Sequence, residues 1–198
     1  MPLSTPFHDG TSVHPSVDGV SPQKPIRIAS YNIRSARGGN LESVLRALDQ
    51  MNVDFGLLLE TKLSDDRYTK FSSGYRVFAT KATNPFQGGV ALVYRQSPYW
   101  QIESERVHSP NVISFELVTG CRRTLIIGAY LPPGDRNALE FIEQAAQRCP
   151  NLPIMLMGDL NVDLLNLRDT RDANIAAMVA NLGLLDILEH FYMHSGFG

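Results

Sequence analysis

Residues 26–59 read IRIASYNIRSARGGNLESVLRALDQMNVDFGLLL, and their periodicities decide the fold class. Residues 26–33 alternate apolar and polar side chains, as a strand does. Gly38 and Gly39 break the alternation, and Asn40 is placed to cap the next helix. Leu41, Val44, Leu45, Leu48 and Met51 then recur at helical spacing, giving one apolar stripe. Val53 to Leu59 is nearly all apolar, so a second strand is expected there, buried on both faces. Strand, helix and strand in this order form a βαβ unit with a right-handed crossover.

Outward from this unit the pattern changes. Residues 75–79, 89–94, 101–107, 111–118 and 124–130 read as short strands, with Thr119-Gly120 a hairpin turn. After Pro132-Pro133, Leu139, Ile142, Ala146 and Cys149 lie on one helical face. Ile154 to Met157 reads as another buried strand running into Gly158-Asp159-Leu160-Asn161. Ile175, Met178, Val179 and Leu182 make a last helical stripe before Gly183 and an apolar segment to Phe191. Strand, helix, strand thus recurs from Leu125 to Met157, and the class is α/β or mixed α+β. Residues 1–25, with five prolines and no hydrophobic period, read as a disordered tail, leaving 26–198 as one domain.

Composition narrows the function. The chain has 198 residues, 18 basic and 20 acidic side chains and a net charge of −2, which excludes binding to nucleic acid by bulk charge. The charge is uneven: residues 1–130 carry net +3 and residues 131–198 net −5. Residues 24–95 hold 11 basic and 6 acidic side chains, with Arg34 and Arg37 just past Asn32 as candidate phosphate contacts. The alternative is that both are solvated surface charges. Cys121 and Cys149 are the only cysteines, too few for a disulfide framework or a thiolate zinc site. Without a secretory or membrane-spanning pattern, the expected location is intracellular, nuclear or cytoplasmic, with no membrane partner.

Four apolar strands each deliver a polar side chain at their end, where ligands bind in such sheets. They are Asn32, Glu60, Tyr130 and the pair Asp159 and Asn161. Residues two apart in an extended segment face the same way, so Asp159 and Asn161 are expected to project together. A carboxylate beside an amide suits a general base that deprotonates water while the amide orients phosphoryl oxygens. Glu60 is a hard oxygen ligand for Mg²⁺, and Asn32 could complete the shell through its carbonyl oxygen. Each residue also has a structural alternative: Asn32 as a turn cap, Glu60 as an ion partner of Lys62, Tyr130 as a half-buried aromatic, and Asp159 and Asn161 as turn formers.

Five segments together carry a family resemblance: YNIR at 31–34, LETK at 59–62, GGVALVY at 88–94, AYLPP at 129–133 and GDLN at 158–161. In this order and spacing the chain resembles the endonuclease/exonuclease/phosphatase superfamily. The Gly-Gly strand, the Tyr-x-Pro-Pro turn and Gly-Leu-Leu-Asp at 183–186 look most like its branch in LINE-type retrotransposons, the endonuclease domain. The resemblance implies a four-layer sandwich of two mixed sheets flanked by helices, and Mg²⁺- or Mn²⁺-dependent cleavage of a phosphodiester in DNA or RNA. It assigns Asn32 and Glu60 to the metal, Tyr130 to the phosphate or to orienting the acid, Asp159 to activating water, and Asn161 to positioning water and the scissile group. Asp186 matches a position more structural than catalytic.

Superfamily members carry an Asp-containing strand and then a terminal Ser-Asp-His after this region, and this sequence ends at Gly198 before either. The expectation is therefore a domain incomplete at its C-terminus, lacking the last strands of the second sheet, with weak or absent cleavage. His190 and His194 are read as solvated or helix-end residues rather than substitutes for the missing group. Two other functions compete: a catalytically inactive remnant that binds nucleic acid or nothing, and a phosphatase or lipid phosphodiesterase of the same superfamily.

Overall fold

The strand Phe55–Leu59 explains the layering, because every one of its five residues is buried. In the computed structural model, which describes residues 25–185 except 72, 134 and 136, this is β2 of two stacked sheets. The first sheet also contains β1 (Ile28–Asn32), β3 (Arg67–Lys70), β4 (Tyr75–Ala79) and β5 (Val90–Arg95), in the order β1-β2-β5-β4-β3. The second contains β6 (Gln101–Ser109), β7 (Val112–Thr119), β8 (Arg122–Tyr130) and β9 (Ile154–Asp159), in chain order. Each sheet is mixed: β1 and β2 are parallel, β8 and β9 are parallel, and the other pairs are antiparallel.

Strand alternation sends β2 side chains to two cores. Leu58 packs outward with Leu41, Leu45 and Leu48 of α1 (Asn40–Gln50), while Phe55, Leu57 and Leu59 pack inward against Trp100, Ile113, Phe115 and Ile126. Phe55 meets Trp100 and Phe115 edge-on, with ring centroids 6.1 and 5.9 Å apart. Each such pair contributes about 0.5–1.5 kcal/mol beyond area burial. On the far side of the second sheet, Val112, Leu125, Ile127 and Ala129 pack under α2 (Ala138–Gln147) and α3 (Thr170–Asn181). Helix, sheet, sheet and helices make four layers, as the family resemblance implies.

Four local expectations need correction. Asn40 does not cap α1 but lies inside it, and its side-chain amide donates back to the carbonyls of Ile33 (3.0 Å) and Ser35 (2.6 Å). The turn before it is made by Gly39 at φ 81°, a left-handed conformation open to glycine. Met51 lies beyond the last helical turn and is exposed. β9 is half-buried rather than buried, because it pairs with β8 alone among the described residues and so forms a sheet edge. β3 is absent from the sequence reading: its four residues, RYTK, carry no apolar alternation, and pairing to β4 makes the strand. The segment 1–24, Asp186, His190 and His194 lie outside the described residues.

One half-buried histidine gives the fold a pH signature. His108 on β6 shares a hydrogen bond with the Ser114 hydroxyl (2.7 Å). Burial holds its imidazole below the ordinary histidine pKa, and the Arg148 and Arg106 charges add to this. With the folded pKa below the unfolded one, the unfolded chain takes the proton first. Stability is then lost as pH falls from the ordinary histidine range, ~6.5, through the folded value. Melting temperatures of wild type and His108→Gln between pH ~5 and ~7.5 are expected to show a shallower acid-side drop in the variant. Parallel curves would remove His108 from the pH response.

Candidate active site

The parallel pair of each sheet ends on the same side of the molecule. β1 and β2 are in register through Asn32 and Leu59, and β8 and β9 through Tyr130 and Asp159. Glu60 follows β2 directly at φ 53°, and the chain after it is fastened on both sides. Thr61 and Lys62 donate their N–H groups to the carbonyls of Gly89 (3.0 Å) and Gly88 (3.1 Å), and Ala36 donates to the Thr61 carbonyl (2.7 Å). A Cβ on Gly89 would stand 2.4 Å from the Thr61 hydroxyl, so the Gly-Gly pair is what lets the glutamate loop seat.

Three strand ends converge on the Glu60 carboxylate. Oε1 accepts hydrogen bonds from Asn32 Nδ2 and from the Tyr130 hydroxyl, both at 2.8 Å. The Lys62 ammonium lies 3.5 Å from Oε2. Burial alone would raise the Glu60 pKa, but the bonds from Asn32 and Tyr130 and the Lys62 charge outweigh it and hold the carboxyl below its ordinary value. Tyr130 moves the opposite way. Its burial raises the phenol pKa, and the bond to Glu60 and the charges of Glu60 and Asp159 add to the rise, so it stays a donor. Tyr130 is 6% exposed, a buried residue rather than a half-buried one.

Asn32 caps the turn and braces the glutamate. Its Oδ1 accepts from the Arg34 N–H at 3.0 Å, capping the turn, while its Nδ2 serves Glu60. Asp159 accepts the Asn161 N–H on Oδ1 at 2.9 Å, and among the described residues Oδ2 has no partner. The chain is not extended here, since Asn161 sits at φ 49° and its Nδ2 donates to the Leu131 carbonyl at 3.1 Å. Asp159 and Asn161 are thus brought together by a tight turn, not by strand alternation. Gly158 explains the start of the motif: a Cβ there would lie 1.8 Å from the Ala129 carbonyl oxygen of β8.

Arg34 and Arg37 are exposed on the β1–α1 loop, and their side chains make no bond to this group among the described residues. Lys62 is the ion partner of Glu60 that the structural alternative named, and Arg171, which the sequence reading missed, bonds three carbonyls of the surrounding loops. Arg171 carried a signal, because a cation in the first turn of a helix opposes the helix dipole and calls for another reason to be there.

The family model described as Endonuclease/Exonuclease/phosphatase family matches residues 29–185. The chain belongs to that family. Among solved structures, the endonuclease domain of TRAS1, a telomere-specific non-LTR retrotransposon, is similar at TM-score 0.62 and 16% identity, over 80% of this chain and 71% of that one. Endonuclease/exonuclease/phosphatase family proteins from Leptotrichia buccalis and Bacteroides thetaiotaomicron both align at TM-score 0.53. They share 13% and 14% identity, over 82% and 79% of this chain and 74% and 68% of theirs. At these identities the likeness is one of fold. No curated protein matches the chain. No helix among the described residues is long and apolar enough to cross a membrane.

Among the described residues no three Asp, Glu, His or Cys side chains group as a metal cage. Mg²⁺ does not need one, since it binds through one or two carboxylates and keeps waters and substrate phosphates. Glu60 supplies one such carboxylate, held below its ordinary pKa, and Mg²⁺ at its Oε2 would have to displace the Lys62 ammonium 3.5 Å away.

Proposed function

We propose that this family member is a metal-dependent phosphodiester hydrolase that nicks DNA, an endonuclease domain of retroelement type. The observation that carries the reading is the Glu60 carboxylate, clamped by Asn32 from one sheet and Tyr130 from the other, with a carboxylate that keeps one oxygen open, Asp159, at the adjoining strand end. Its Oδ2 has the freedom to take a proton from water as the resulting hydroxide bonds to phosphorus, the bond to the leaving sugar oxygen breaks, and that oxygen takes a proton from solvent. Asn161 keeps Oδ1 uncommitted among the described residues and can accept a hydrogen bond from that water, orienting it for the attack. Tyr130, kept protonated, locks Glu60 in its ionised form. Mg²⁺ or Mn²⁺, held by Glu60 with Asn32 beside it, would neutralise charge on the phosphate oxygens. The exposed Arg34 and Arg37 on the adjoining loop suit a polyanionic backbone, and the TRAS1 domain, an endonuclease, has the same fold.

Supercoiled plasmid incubated with the chain and Mg²⁺ is expected to give relaxed circles, and chelation should stop it. Phosphomonoesters and phosphoinositide vesicles run in parallel test the phosphatase and lipid alternatives. Salt-dependent DNA binding without nicking would replace the hydrolase reading with a binding module.

A further inference from the structure

We propose that Arg171, in the first turn of α3, is a positioning residue for hydrolysis, fixing the loop of Asp159 and Asn161 against the strand end of Tyr130. This deepens the hydrolase reading and rests on it. The guanidinium spends both terminal nitrogens on main-chain carbonyls from two segments. Nη2 donates to Leu131 (3.2 Å) and Leu160 (3.0 Å), and Nη1 donates to Asn161 (3.1 Å). Leu131 follows Tyr130, while Leu160 and Asn161 follow Asp159, so one planar fork spans the second sheet's contribution to the site.

The same carbonyl of Leu131 accepts the Asn161 side-chain amide at 3.1 Å, and the Leu131 N–H donates to the Asp159 carbonyl at 2.9 Å. Asn161 is held at φ 49°, a conformation that non-glycine residues adopt uncommonly and that needs outside support. Arg171 supplies it from behind. Its side chain is 18% exposed, and Nη1 lies 3.5 Å from the buried carboxylate of Asp172, which anchors the cation. A lysine there would keep the charge but could offer only a point donor, not a fork matched to three carbonyls.

The test uses the whole 198-residue chain and three readouts. In wild type, ¹⁵N NMR of the Arg171 guanidinium is expected to show separate Nη signals from hindered rotation; a freely rotating guanidinium overturns the proposal without any variant. In Arg171→Lys, the Asn161 side-chain amide signals should move, and the Asn161 N–H should exchange faster. Plasmid nicking should fall by ~10–10²-fold in kcat with little change in KM, the mark of misplaced groups rather than lost binding. Arg46→Lys, a change at an exposed α1 arginine whose guanidinium lies 4.0 Å from Glu42, should leave all three readouts at wild type. Wild-type kcat with unmoved Asn161 signals in Arg171→Lys overturns the positioning role. If wild type does not nick, the hydrolase reading fails, and the Asn161 and guanidinium signals still decide whether the fork holds the loop.

Discussion

Asp159→Asn is expected to lower the rate of plasmid nicking by ~10²–10⁴-fold, the range a general base supplies. The substitution isolates chemistry from folding. Asn keeps an oxygen at Oδ1, so the bond from the Asn161 N–H and the tight turn it closes can persist. The Asp159 backbone, which accepts from Leu131 and pairs with Tyr130 across β8 and β9, is untouched. What disappears is the negative charge and the open basic oxygen. Melting temperature should stay near wild type, and KM for DNA should not rise, because removing a carboxylate from a phosphate site cannot weaken anion binding. A loss of less than tenfold in a well-folded variant would move the base elsewhere.

The fold was legible where one period dominated. In residues 26–59 the switch from alternation to a helical stripe and back to an apolar run locates β1, α1 and β2. The all-buried β2 follows from its composition, since a strand with sheet on both sides and helix and sheet above and below has no polar face. β3 and the exposure of β9 were not legible, because both depend on how many neighbours a strand has, which no local pattern encodes. The site divides in the same way. Polar residues at the ends of apolar strands stand out in sequence, and Asn32, Glu60 and Tyr130 do meet. The turn at Asp159 and Asn161 stood in the sequence as the alternative to strand alternation, and the turn wins because β9 ends at Asp159. Arg171 lies 41 residues from Tyr130 in sequence, and its three carbonyl partners carry no residue-specific signature.

The second large effect concerns the other carboxylate and takes a different form. Glu60→Gln is expected to raise the Mg²⁺ concentration for half-maximal nicking by at least ~10²-fold. Altering even the outer partners of a metal ligand typically costs 10–100-fold. Glutamine keeps an oxygen for the Asn32 amide and the Tyr130 hydroxyl, so the clamp between the sheets survives in neutral form. Lys62 loses its counter-charge and becomes a cation beside a neutral amide, which further disfavours a divalent ion. Tyr130 also loses the negative charge that helps hold its pKa high, so its phenol should titrate at lower pH than in wild type. A metal titration of the two variants separates the two carboxylates. Excess Mg²⁺ should restore much of the rate in Glu60→Gln, because the base is intact, and none in Asp159→Asn. An Mg²⁺ dependence unchanged by Glu60→Gln would remove Glu60 from the metal and leave it a structural clamp between two sheets.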